Sequence, residues 1–88
     1  MPALLRVGSK VSSNRSAHGA WLELGPHEKR RRKARLFGVV LRSVEGGKWE
    51  VRWDSGVMEA MFAGVLKNEG KPDEDSLSLV RQTMGVRR

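Results

Sequence analysis

The chain has 88 residues, a net charge of +7 and no cysteine, so it holds one small domain without disulfides or thiolate metal sites. Two histidines and few clustered acids argue against a structural zinc site, and neither a metal nor a cofactor is expected. No apolar run approaches the roughly 20 residues of a membrane span, and the N-terminus lacks a signal-peptide core; the expectation is a soluble intracellular monomer that makes no membrane contact.

Leu5, Val7, Ser9 and Val11 alternate with Arg6, Gly8, Lys10 and Ser12, which predicts a first strand over residues 4–11. Residues 12–35 read as a long loop, with one apolar island at Ala20-Trp21-Leu22 that tacks Trp21 back onto the body. A structureless connection of this length in a small domain is usually functional or disordered. It ends in a run of positive charge, Lys29, Arg30, Arg31, Arg32, Lys33 and Arg35. Removing those six charges from +7 leaves +1, so the basicity of the chain is a local device. Like charges so close repel one another and call for a solvated position.

Residues 35–44 form the predicted second strand, with Phe37, Val39 and Leu41 on one face and Leu36, Val40, Arg42 and Val44 on the other. Gly38 inside it suggests a bulge or sharp bend. Glu45-Gly46-Gly47 predicts a tight turn, because adjacent glycines accept positive φ. The third strand, residues 48–54, puts Trp49, Val51 and Trp53 on one face and ends at Asp54-Ser55-Gly56. Asp54 reads as a turn residue whose carboxylate bonds nearby amides. A fourth strand is predicted over residues 57–62, a single helical turn over 63–66 and a polar loop over 68–75. A short fifth strand follows over residues 76–81, with Leu77 and Leu79 on one side. The domain spans residues 4–82, and residues 83–88 form a flexible tail.

The basic run has two functional readings, a nuclear address and direct contact with nucleic-acid phosphates. Arginine suits phosphate because its planar guanidinium bonds two oxygens. Arg42 and Arg52 project from adjacent strands; they either extend this basic surface or pair across strands with Glu50 or Glu45. No base-reading motif is present, so contact with DNA or RNA is expected to be electrostatic, with Trp21 as a stacking platform. Catalysis finds no support. His18 and His27 lie in the loop without a nucleophile or acid partner. Asp73-Glu74-Asp75 lacks the surrounding ligands of a cation site and reads as a solvated loop.

Three segments in order also carry a resemblance: Val7-Gly8-Ser9-Lys10-Val11, Phe37-Gly38-Val39-Val40, and Trp49-Glu50-Val51-Arg52-Trp53-Asp54-Ser55-Gly56, with Leu66 after them. Together they resemble the Tudor-like branch of the SH3-like barrels. The resemblance implies an all-β fold, a small, strongly curved barrel of five strands with a long basic loop between strands 1 and 2, and a binding role. Tudor-like domains often hold a methylated lysine or arginine in an aromatic cage by cation–π attraction. Trp53 matches the cage aromatic before the Asp-x-Gly turn. Leu36, with Phe37 beside it, takes the second-strand position, Glu59 the fourth-strand position, and Trp21 can add a wall from the loop. Val51-Arg52-Trp53-Asp54-Ser55-Gly56 with Phe62-Ala63-Gly64 also resembles the Mind-bomb-type SH3-like domain, without that family's tryptophan-rich opening.

The sequence thus predicts a non-catalytic, chromatin-associated nuclear module. It would bind DNA or RNA through Lys29, Arg30, Arg31, Arg32, Lys33, Arg35, Arg42 and Arg52. The alternative is recognition of a histone tail or other peptide at Trp21, Phe37 and Trp53, with Trp49 as packing and Trp53 facing the ligand.

Overall fold

The computed structural model describes residues 4–22 and 32–85. The three residues 29–31 of the basic run, together with His27, lie outside them. The described chain forms a five-stranded antiparallel sheet, a two-stranded ribbon, one 3-10 turn and one α-helix. The strands are β1 (Lys10–Ser13), β2 (Trp21–Leu22), β3 (Arg32–Lys33), β4 (Leu36–Val44), β5 (Lys48–Trp53), β6 (Met58–Phe62) and β7 (Lys67–Gly70), and the helix is α1 (Glu74–Thr83). The sheet order is β6-β5-β4-β1-β7, and β2 pairs only with β3. No closed barrel is found among these strands; the sheet keeps two edges, β6 and β7.

The central hairpin forms where the sequence pattern is cleanest. Gly46 and Gly47 both take positive φ, 81° and 73°, so the β4–β5 turn twists with its strands. Leu36 and Val40 pack with Val11, Val51, Trp53 and Met61 on one face of the sheet. Val39 and Leu41 pack with Val80 and Leu79 of α1 on the other. The two faces predicted for the second strand are therefore both apolar and both covered, one by the curl of the sheet and one by the helix.

Gly38 has a different role from the one expected. The register shift of the β4–β5 ladder falls between Val40 and Arg42 instead. Gly38 lies opposite Trp53. A Cβ there would come within 2.3 Å of the Arg52 carbonyl oxygen and 2.9 Å of the Trp53 ring. The glycine is needed so that the indole can lie against bare backbone.

Three segments differ from the sequence reading. The first strand begins at Lys10, not residue 4, because Gly8 turns the chain with φ 89° and the Gly8 and Ser9 backbones bond to Val40 of β4. The predicted polar loop contains β7, whose backbone pairs with β1 despite having no large apolar residue. The predicted fifth strand is the helix α1, so the fold is β-rich with one helix rather than all-β. Leu77 and Leu79 do alternate, but Asp73 and Ser76 form a reciprocal cap: Ser76 N–H donates to the Asp73 carboxylate at 2.8 Å and Asp73 N–H to Ser76 Oγ at 2.9 Å. Glu74 and Asp75 in the first turn and Arg81 in the last complement the helix dipole. Buried Ser76 and Val80, four apart, mark the helical stripe that packs on β4.

The acidic stretch predicted as a solvated loop is thus a helix start. The Asp73 carboxyl is held down to about 2 by its hydrogen bond and ion pair with Lys10 and by the Ser76 amide.

Candidate functional site

The connection between β1 and β4 was expected to be one long loop, with Arg32 and Lys33 solvated. Its foot is instead built from serines and one carboxylate, and Arg32 and Lys33 form a strand. Ser12, Ser13 and Ser16 are all buried. Each is satisfied locally or across the fold: Arg15 N–H donates to Ser13 Oγ and His18 N–H to Ser16 Oγ, both at 3.0 Å. These short turns fold residues 13–18 back on themselves.

Glu59 of β6 clamps that turn to the body. Its carboxylate accepts from the Ser16 hydroxyl at 2.6 Å, the Ala17 amide at 3.1 Å and the Trp53 indole N–H at 2.8 Å. Burial acts to raise the Glu59 pKa, but the hydrogen bonds from Ser16, Ala17 and Trp53, with the charge of His18, outweigh it and set it below its ordinary value. The sequence places Glu59 only at a cage position; its role as a clamp escapes a sequence reading because its partners Ser16 and Trp53 lie 43 and 6 positions away. The only local signal is the spacing of the serines at 12, 13 and 16.

On this foot stands the ribbon. Trp21 pairs with Lys33 and Leu22 with Arg32. Its base is closed by Ala34 N–H donating to the Ala20 carbonyl at 2.7 Å. Lys33 Nζ donates to the Ser16 carbonyl at 2.6 Å and lies 5.5 Å from the centre of the Trp21 ring. Trp21 and Leu22 remain 54% and 44% exposed. An exposed ring carrying a cation, next to an exposed arginine, offers a stacking surface beside positive charge. The ribbon leads directly into Lys29, Arg30 and Arg31 in sequence.

The remaining predicted cations divide by their partners. Arg35 donates to Ser12 Oγ at 2.8 Å, and Ser12 in turn donates to Glu69 of β7, so Arg35 is tied to the sheet. Arg42 pairs with Glu50 at 2.8 Å, the cross-strand partnership that was one of the two alternatives. Arg32 and Arg52 form no ion pair among the described residues. Among the described residues no hydrogen bond or ion pair joins Arg42 or Arg52 to the ribbon.

The predicted aromatic cage is not assembled. Trp53 is 1% exposed and belongs to the core, while Trp49 is only partly buried at its margin. Trp49 packs against the core as expected, but Trp53 does not face a ligand: it is a packing residue too, because Gly38 and Glu59 make room and a partner for its indole. Phe37 alternates with Gly38 along β4 and so stands on the opposite face from Trp53, 48% exposed. It borders a groove of about 280 Å³ between β4 and the start of α1, together with Val39, Asp54, Asp75 and Leu79. Asp54 is exposed, and its backbone N–H donates to the Phe37 carbonyl at 2.8 Å; its carboxylate makes no hydrogen bond among the described residues. His18 is exposed in the turn as expected. Among the described residues no group of acids and histidines is disposed to hold a metal.

Compared with protein-family models, curated proteins and solved structures, the chain finds no match.

Proposed function

We propose that this chain is a non-catalytic binding module on a Tudor-like, SH3-like framework, and that it engages nucleic acid through the ribbon and its basic run. The framework reading is supported by strand order. The meander β1, β4, β5, β6 is followed by a 3-10 turn at Ala63–Val65, after which β7 returns to pair with β1. A fold of five strands with a short helical turn is what the resemblance implies. The single observation that carries the functional reading is the anchored ribbon. Its exposed Trp21 pairs beside Arg32, itself a member of the run of six cations, on a foot fixed to the sheet through Glu59 and Ser16. A charged loop without a partner needs no such foundation. Chromatin in the nucleus is the setting that fits such a module.

Neutralising Arg30, Arg31 and Arg32 to glutamine tests it. Each phosphate contact contributes about 0.9 to the slope of log affinity against log salt, so the triple variant should weaken duplex binding and flatten that slope by about 3. Unchanged affinity and slope overturn the reading.

A second reading rests on the Phe37 groove. An exposed ring beside Asp54 and Asp75 suits a cationic side chain of a peptide such as a histone tail, in place of the cage that Trp53 does not supply. Phe37→Ala would abolish peptide binding while leaving nucleic-acid affinity unchanged.

A further inference from the structure

The two edges of the sheet are built differently. β7 reads Lys67-Asn68-Glu69-Gly70 and runs on into Lys71-Pro72. A short strand, charged side chains and a following proline all discourage the addition of another strand. β6 reads Met58-Glu59-Ala60-Met61-Phe62, with no proline and no outward-facing charge. Its one charge, Glu59, is turned inward to Trp53 and Ser16.

The direction of the free backbone groups on β6 follows from the ladder. Trp53 N–H donates to the Val57 carbonyl at 2.8 Å, so Trp53 and Val57 are a hydrogen-bonded pair. By alternation, so are Val51 with Glu59 and Trp49 with Met61. On the far side of β5, Asp54 N–H donates to the Phe37 carbonyl, which fixes the same phase. The N–H and C=O groups of Met58, Ala60 and Phe62 therefore point away from β5, off the edge of the sheet. Their side chains share the outer face, where Met58 is 51% and Phe62 55% exposed.

We propose that β6 is a self-association edge, pairing antiparallel with β6 of a second copy about a twofold axis at Ala60. The sequence is self-complementary in that register. Met58 meets Phe62 of the partner subunit, a favourable thioether–ring contact, and Ala60 meets its own copy with no steric demand. Glu59 stands opposite Met61 of the partner subunit, so no like charges face each other. The three outward-facing residues of each strand exchange both backbone groups, giving about six new hydrogen bonds. The interface is isologous and closes at two copies, which the inward Glu59 and the charged β7 edge protect from further growth.

Sedimentation over a concentration series, together with residue-resolved amide exchange of the full chain, tests the proposal. A monomer–dimer equilibrium is expected. The amides of Met58, Ala60 and Phe62 should gain protection as concentration rises, while those of Glu59 and Met61 stay protected throughout. Ala60→Lys places two cations on the axis and should leave a folded monomer with the same circular dichroism. Phe62→Ser, at an exposed position, should weaken association in the same direction. A monomer at millimolar concentration with rapid exchange at residues 58, 60 and 62 overturns the proposal. So does a dimer that survives Ala60→Lys, which would lie on another surface. Protection of these amides only when a foreign peptide is added overturns it in favour of a different occupant.

Discussion

Trp53 and Trp21 divide the molecule into a body and an arm. Trp53 is sealed in the sheet, with Gly38 beneath its ring and Glu59 on its indole N–H. Trp21 stands half in solvent on a two-stranded ribbon, with the Lys33 ammonium 5.5 Å from the centre of its ring. The same residue type serves stability in one place and, in the function proposed above, recognition in the other. What separates them is the backbone around them: a nine-residue strand with an apolar layer on both faces against a ribbon of two-residue strands. Glu59 joins the two, since one carboxylate holds the Trp53 indole and the foot of the arm together.

The contrast breaks most sharply at Trp53. Trp53→Ala should cost about 3–5 kcal/mol by cavity formation, read from urea unfolding, a large share of the stability of a domain this small. A loss below about 1 kcal/mol would mean that the indole is not central to packing.

Gly38→Ala should cost about 1–3 kcal/mol, because its methyl group would meet the Arg52 carbonyl and the Trp53 ring. Unfolding titration checks this, and tryptophan fluorescence should report a displaced Trp53. Tolerance of the methyl group would place the ring elsewhere.

Glu59→Gln probes the link between body and arm. Hydrogen bonds to a charged group are worth about 1.5–3 kcal/mol, so a smaller loss than at Trp53 is expected, with faster exchange at the Ala17 amide. The pKa of Glu59 is lowered by folding from 4.5, so its contribution is fully present above that value and fades as pH falls through the lower folded-state value. The stabilities of the wild-type and variant proteins should therefore converge on acidification, in denaturation curves taken across that window. A constant gap at every pH would show that the carboxylate's charge is not what holds the foot.

Trp21→Ala should be the mildest for folding, within about 0.5 kcal/mol, as for most exposed positions. Its effect should fall on nucleic-acid affinity, measured by fluorescence anisotropy at fixed salt. Loss of affinity without loss of stability sharpens the division; equal losses in both would erase it.

The sequence by itself determined the β4–β5 hairpin, the shared face of Trp49, Val51 and Trp53, the 3-10 turn and the separation of the basic run from an otherwise balanced chain. Each of these is written in neighbouring residues: period-two alternation, paired glycines, clustered charge. The tertiary structure alone decided that residues 74–83 are helical, since alternation of Leu77 and Leu79 over so few positions suits a strand as well as a helix until the cap at Asp73 and packing on Val39 and Leu41 select one. It decided that β7 exists, because a polar strand is held by pairing with β1 rather than by its own side chains. It decided which tryptophan is buried and that Glu59 is a clamp, because those outcomes depend on contacts between residues far apart in the chain, which no local pattern records.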